Sequence, residues 1–431
     1  MTSFWVILTG GLSLLAGSGL ALGASLGLTG LILLHFVAGG ITFVAVDAVW
    51  NVLNSFTLSA IPLFIILGEI MLRSEVSKKI YVALSPLFQN IPGGLLHTNI
   101  AVCTLFGAVS GSSLSTAAAV GSVAYPEMTE RGYDKKMVVG SLAGGGTLGL
   151  LIPPSLSLLI YGALTETSIG QLFLAGIIPG VLFAIMFMIY IYFKCMRQPP
   201  LAPTDDTVIK FTKIIIDILS IWPFLIVVFA IMGSISFGIA TPTEAAGVGV
   251  IATIILGKLW GSLTFRKLVE AIFSATLLYA SIMFVVIGAT ILAQAFSLLG
   301  IPQSILETVR QTNLGPVAVL ITVILVYLIL GCFFDGLSLM IMTLPILLPL
   351  MIGLGYDPIW LGVIVTIMIE IGQVTPPVGL NLSVLVSVTK EKVSLGETAL
   401  ATMPYWLILL LGIGILTLAP EIALFLPSRL M

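Results

Sequence analysis

Charge is what this chain has least of. Asp, Glu, Lys and Arg make up 8% of its 431 residues, where a soluble protein of this length carries roughly a quarter. Lipid, not water, must therefore solvate most of the surface. The two histidines, His35 and His97, are isolated and far apart, and they read as structural residues with no part in a proton relay. Cys103, Cys195 and Cys332 are scattered through apolar stretches without metal-ligand spacing and read as packing residues. No basic cluster suggests nucleic acid. There is no phosphate-binding loop of the G-x-x-x-x-G-K type, no cluster of His and Cys ligands and no intramembrane Ser/His pair, so an enzyme is not expected. The N-terminal apolar segment starts without Lys or Arg and runs into further apolar sequence, a poor signal peptide and a better first span.

What the chain has is apolar residues, at 58% with a mean hydropathy of +1.20, and 44 glycines, which suit close helix packing and interrupted helices. It also has a pattern that occurs twice. Gly132-Tyr133-Asp134 is followed, after eighteen intervening residues, by Pro153-Pro154, and Gly355-Tyr356-Asp357, again after eighteen, by Pro376-Pro377. At the same offset of 223, Pro126 falls on Pro349, Gly149 on Gly372, Ser115 on Ser338 and Asn90 on Asn313. Leu63-Phe64 and Gly68 match Met283-Phe284 and Gly288 at an offset of 220. The chain reads as a duplication. Duplicated halves with Gly/Pro breaks inside apolar segments point to a secondary transporter.

Apolar stretches predict spans near residues 4–22, 24–40, 58–73, 137–163, 169–193, 215–236, 240–257, 269–298, 358–388 and 404–426. Stretches 95–125 and 316–350 exceed one span of about 20 residues. Each carries a break at its middle, Ser110-Gly111-Ser112-Ser113 in one and Asp335-Gly336 in the other. Irregular backbone at membrane depth is tolerated where protein encloses it, so both read as re-entrant hairpins. With the N-terminus outside, fifteen of the 17 basic residues fall on one side, and Arg310 and Arg429 on the other, a positive-inside bias. The bias fixes orientation, although two short spans in place of each hairpin would give the same charge sides. Three spans, a hairpin and two spans make five crossings per half. The expected fold is thus an all-α polytopic membrane protein of two inverted repeats, each with a re-entrant hairpin and a broken helix.

The broken helices are 137–163, with Gly144-Gly145-Gly146-Thr147 and Gly149 before Pro153-Pro154-Ser155, and 358–388, with Glu370-Ile371-Gly372-Gln373-Val374-Thr375-Pro376-Pro377. Proline removes a backbone donor and clashes with the preceding turn, so each segment should unwind and restart. The restarted half-helix offers free N–H groups to an anion, and unwound carbonyls suit a hard cation such as Na⁺. The candidate cation ligands are Ser110, Ser112, Gly145, Thr147, Asp335, Glu370, Gly372 and Thr375. The candidate substrate contacts are Ser112, Ser113, Pro154, Ser155, Gly336 and Pro377. Asp335 has two readings, a cation ligand or the N-cap of the following half-helix. Glu370 aligns with Thr147 of the other half, and either holds the second tip by hydrogen bonds or ligates a cation. Glu69 should pair with Arg73 four residues on. Glu244 should sit in the first turn of a helix after Pro242, and Asp134 and Asp357 should be N-caps. A channel remains an alternative, since re-entrant loops also build filters.

Gly107-Ala108-Val109-Ser110-Gly111-Ser112-Ser113, Pro126-Glu127-Met128, Arg131-Gly132-Tyr133-Asp134 and Ile152-Pro153-Pro154-Ser155 resemble the large membrane subunit of TRAP (tripartite ATP-independent periplasmic) transporters. So do Ile61-Pro62-Leu63-Phe64 with Gly68-Glu69, Thr241-Pro242-Thr243-Glu244-Ala245-Ala246 and Thr375-Pro376-Pro377-Val378-Gly379. The resemblance covers nearly the whole chain. It implies a Na⁺-driven importer of carboxylates and related organic acids in a bacterial or archaeal cytoplasmic (inner) membrane. It implies two partners, a small membrane subunit and a periplasmic substrate-binding protein. It also implies an elevator-type fold, with a transport domain over 94–193 and 316–426 and a scaffold over 1–93 and 194–315. A stand-alone Na⁺/anion symporter needing no binding protein is the rival of similar architecture.

Overall fold

The computed structural model describes residues 10, 11, 15, 17, 19–203, 211–312, 314–390 and 392–431. Eleven of the nineteen positions of the expected first span at 4–22 lie outside the described residues, as do Lys210 and Asn313. The first half runs through α1 (Leu22–Phe36), α2 (Val44–Leu53), α3 (Ala60–Arg73) and α4 (Val76–Phe88). A helical hairpin follows, α5 (Leu95–Ser110) and α6 (Ser113–Glu130), then an interrupted helix in two pieces, α7 (Lys135–Leu151) and α8 (Leu156–Thr165), and the long α9 (Ile169–Arg197). The second half has α10 (Phe211–Ser220), α11 (Trp222–Ser236), α12 (Pro242–Leu259), α13 (Phe265–Leu298) and α14 (Ile301–Gln311). Its hairpin is α15 (Pro316–Gly331) and α16 (Gly336–Gly353), its interrupted helix α17 (Pro358–Gln373) and α18 (Leu380–Val388), and it ends with α19 (Leu395–Leu418) and α20 (Glu421–Leu430). Both stretches expected as hairpins thus fold as two helices meeting at a polar tip, and both expected breaks interrupt a helix. Among the described residues six helices are long and apolar enough to cross a membrane, counting Lys135–Thr165 as one.

The interruptions follow from local chemistry. The prolines end α7 and α17, and Pro153-Pro154 and Pro376-Pro377 are both cis. The loops leading into those helices end in acidic caps, as the sequence predicts. Asp134 accepts from Met137 N at 2.9 Å, and Asp357 from Ile359 N at 2.8 Å and Trp360 N at 3.0 Å. Thr241 and Glu244 close a reciprocal capping box at the start of α12, with Glu244 Oε2 2.8 Å from Thr241 N. Glu69 pairs with Arg73 at 3.4 Å, and Arg73 reaches across to Glu270 at 3.2 Å, tying α3 to α13.

Two expected spans divide, and three further helices appear. The span at 215–236 is two helices, because Pro223 at the start of α11 restarts the chain after Ile221. The span at 404–426 is also two, with Ala419-Pro420 between α19 and α20. Helices α2, α4 and α14 were not expected at all. They are short and α14 is strongly one-sided, so a search for long apolar runs passes over them.

Packing gathers around two groups of helices, which also touch each other through α4 on α5 and α13 on α16. In one, α1 and α3 lie along α13, and α3 also packs on α12. In the other, α7 is enclosed by α5, α6 and α19, while α17 is enclosed by α15, α16 and α9. Within the second set the two halves use the same close crossing. A Cβ on Gly107 would lie 2.6 Å from Gly149 Cα, so α5 and α7 touch backbone to backbone; a Cβ on Gly331 would lie 2.7 Å from Gly372 Cα, and α15 and α17 do the same. A side chain at either crossing would force the helices apart.

Candidate functional site: two tips and two breaks

At the first tip α5 ends at Ser110, Gly111 turns the chain with φ +57°, and Ser112 caps α6 by accepting from Ser115 N. Three oxygens converge there. Ser110 Oγ lies 2.6 Å from Thr116 Oγ1, Thr116 donates to Ser112 O at 2.8 Å, and Ser110 Oγ is 3.3 Å from Ser112 O. Gly149 of α7 covers them, and a Cβ on it would stand 2.7 Å from Thr116 Oγ1 and 3.1 Å from Ser112 O. Hydroxyl and carbonyl oxygens without soft donors suit a hard monovalent or divalent cation. Among the described residues no group of three or more His, Cys, Asp or Glu is placed to hold a metal ion. From the other helix set, Gly68 of α3 seats on the tip, its would-be Cβ 2.6 Å from Ser110 O. A crevice there is lined by Glu69, Ser110, Ser112, Ser115 and Pro154.

The break beside this tip is buried. Ser155 caps α8 by accepting from Leu158 N at 3.3 Å, and its hydroxyl also contacts Leu150 O. Ser157 Oγ donates to the same carbonyl at 3.0 Å and lies 3.1 Å from Thr366 Oγ1 of α17. Gly145 and Thr147 stand away from the tip. Gly145 faces Cys103 and Asn99 on α5, and Thr147 donates to Gly144 O of its own helix at 2.6 Å.

At the second tip Asp335 is exposed and caps α16, accepting from Ser338 N at 3.0 Å. Cys332 has more than a packing role, since its sulfur lies 3.0 Å from both Leu328 O of its own helix and Pro376 O, so the thiol that bonds its own turn also touches the second break. Thr375 donates to Ile371 O one turn back. Pro376, Pro377 and Val378 are exposed, and Gly379, with φ +48°, starts α18 without a side-chain cap.

The two halves meet at α17. Ser113, expected beside Ser110 and Ser112, points instead to Gln373 and donates to its Oε1 at 2.9 Å. Gly336 of the second tip abuts Nε2 of the same carboxamide, a place where a Cβ would collide. Glu370, one turn earlier, is fully buried. It does not hold the second tip, because neither of its oxygens has a hydrogen-bond partner. The nearest hydroxyl, that of Ser113, lies between this carboxyl and Gln373, and hydrogen-bonds Gln373 Oε1 at 2.9 Å. Thr116 and Gln373 are the two polar side chains that the sequence reading missed. Thr116 lies one helical turn beyond Ser112, and Gln373 is a lone carboxamide inside an apolar run, three residues from Glu370.

Fold and site together define an all-helical, multi-pass membrane protein whose polar groups gather at interrupted helices. Comparison with known proteins agrees. The family profile described as "Tripartite ATP-independent periplasmic transporter, DctM component" matches residues 9–422. The chain is 35% identical to the C4-dicarboxylate TRAP transporter large permease protein DctM of Pseudomonas aeruginosa, covering 94% of each chain. It is 33% identical to the ectoine TRAP transporter large permease protein TeaC of Halomonas elongata, covering 86% of each. In fold it is similar to the YdaH transporter of Alcanivorax borkumensis, with a TM-score of 0.60 at 12% identity over 91% of this chain and 89% of that one. The chain belongs to the DctM family, the large permease subunits of TRAP transporters. It is a transporter subunit and not an enzyme.

Proposed function

We propose that this chain is the transmembrane subunit of a Na⁺-coupled secondary importer that moves a small organic anion by an elevator mechanism. The two halves are inverted repeats. The hairpins and interrupted helices of 94–193 and 316–426 form the moving domain, and 1–93 and 194–315 the scaffold. A small membrane subunit completes the permease, and a periplasmic substrate-binding protein delivers the substrate to it. The observation that carries this reading is the paired tip and break, built around the same glycine crossing in both halves.

Cation binding falls to the oxygens of Ser110, Ser112 and Thr116 at the first tip. At the second it falls to Asp335, Glu370, Gly372 and Thr375. Substrate contacts fall to Ser112, Ser113, Pro154, Ser155, Gly336 and Pro377, between the tips and the restarted half-helices, whose N-termini favour an anion. Ser155 already spends its hydroxyl on capping, so what it contributes is a preset N-terminus of α8. The substrate class is a carboxylate or sugar acid. The relatives' printed names include a C4-dicarboxylate and ectoine, and a site built largely of hydroxyls and helix N-termini accommodates either class without a fixed countercharge. Each net positive charge moved inward gains about 2.3 kcal/mol per 100 mV, so two uncompensated cations give several kcal/mol of concentrating power. The test is uptake into proteoliposomes holding the full permease, with its binding protein outside and a panel of C4-dicarboxylates, sugar acids and ectoine. Accumulation is expected with an inward Na⁺ gradient and without ATP. Accumulation with K⁺ or choline on both sides and no Na⁺ would reject the coupling.

A further inference from the structure

We propose that Gln373 is a positioning residue that ties the two hairpin tips into one unit, so that cation binding at one break is felt at the other. This rests on the Na⁺-coupled reading above. The residue stands where the halves of the chain meet. Its carboxamide oxygen accepts from Ser113, the first residue of α6, at 2.9 Å across 260 positions of sequence. The nitrogen end of the same carboxamide lies against Gly336, the first residue of α16, where the missing Cβ makes the room. Both tips thus rest on one planar group, and both hydrogen-bonding side chains are buried, Ser113 at 1% and Gln373 at 4% exposure.

Each end of this link is one short step from a proposed cation site. Ser113 follows Ser112, whose carbonyl holds Thr116 in the first oxygen cluster. Gln373 follows Gly372, which forms the crossing with Gly331, and precedes Thr375 at the second break. If the first tip lifts, the buried Ser113 hydroxyl and Gln373 carboxamide lose each other, and water does not reach them readily to compensate; if the second lifts, the carboxamide loses the Gly336 backbone that packs against its nitrogen and holds it in place. The tips therefore favour moving together.

The test uses Na⁺ alone as the probe. Binding of radioactive Na⁺ to the purified full-length chain with its small membrane subunit is measured by scintillation proximity. The wild type is expected to bind more than one Na⁺ with a Hill coefficient clearly above 1, since linked sites share a coupling free energy. Gln373→Leu keeps the bulk and removes both polar ends. It is expected to keep the saturation stoichiometry while the Hill coefficient falls to about 1, the value for uncoupled sites. Ser113→Ala, a smaller change that tests the same bond if the first variant fails to fold, is expected to do likewise, and the double variant to go no lower than either single. A residue with only a structural role would lower stability or stoichiometry and leave the cooperativity alone. Wild-type cooperativity that survives in the folded variants overturns the link and leaves the coupling reading standing. A wild type that binds no Na⁺ overturns the coupling reading and the link with it.

Discussion

At the first tip, Gly107 meets Gly149 and the helix break beside them is sealed under protein; at the second, Gly331 meets Gly372 and Pro376, Pro377 and Val378 stand exposed. The two regions have the same kinds of parts, with a hairpin, a capped entry helix, a glycine crossing and a proline pair in each. Their side-chain chemistry is not copied. The first region gathers hydroxyls at Ser110, Ser112 and Thr116 and covers them with Gly68 of α3. The second offers an exposed carboxylate at Asp335, a buried one at Glu370, and a break touched by the Cys332 thiol. Crossing and break are thus architecture that both halves need, while oxygen type and exposure are where the halves have specialised.

The largest effect should come from what the regions share. Gly107→Ala and Gly331→Ala each place a methyl against the opposing backbone, at 2.6 Å and 2.7 Å from the facing glycine Cα. Backbone cannot rotate aside as a side chain does. Each variant is expected to destabilise the fold by about 3 kcal/mol, the upper end of ordinary overpacking, and to abolish uptake at equal protein level. Thermal unfolding in detergent, read beside proteoliposome transport, checks this. Loss in one half with tolerance in the other would break the equivalence of the two crossings.

Part of that equivalence was legible before any coordinates, for a physical reason, although the crossing partners Gly107 and Gly331 were not singled out. Gly149 and Gly372 register at an offset of 223, as do the proline pairs, because close approach and helix interruption admit few residue types and so leave a pattern. The caps Asp134 and Asp357 were legible for the same reason, since each sits one step before a helix whose first N–H groups need an acceptor. What sequence concealed was contact across the halves. That Ser113 turns from its neighbours Ser110 and Ser112 toward Gln373 depends on how α6 is rotated against α17, which no local pattern encodes. Thr116 was missed because a threonine in a helix usually bonds its own turn, and this one does so while also meeting Ser110. Asp335 was left between two roles, and its geometry shows the cap directly.

A smaller effect separates the two oxygen sets. Asp335→Asn keeps the side-chain oxygen that accepts from Ser338 N, so folding should be nearly unchanged. The charge is lost, and the apparent Na⁺ affinity of uptake is expected to weaken roughly tenfold, about 1.4 kcal/mol. Thr116→Val, which keeps shape and removes the hydroxyl, should weaken it by a similar factor from the other side. Normal Na⁺ dependence in folded Asp335→Asn would leave that residue a cap alone and assign cation binding mainly to the buried first tip.

The smallest effect concerns the restart of each broken helix. Ser155 and Val378 occupy matched positions at the 223 offset, yet Ser155 caps α8 while α18 begins at Gly379 without a side-chain cap. Ser155→Val therefore gives the first break the residue of the second. Leu150 O keeps its bond from Ser157 at 3.0 Å, so no carbonyl is orphaned and the loss is confined to the cap on Leu158 N. The expected cost is about 1 kcal/mol of stability, read as a lower unfolding midpoint in detergent, with uptake retained. A much larger loss of transport than of stability would mean that the Ser155 hydroxyl leaves its cap to meet the substrate. An unchanged midpoint would mean that the first break, like the second, restarts its helix without help from a side chain.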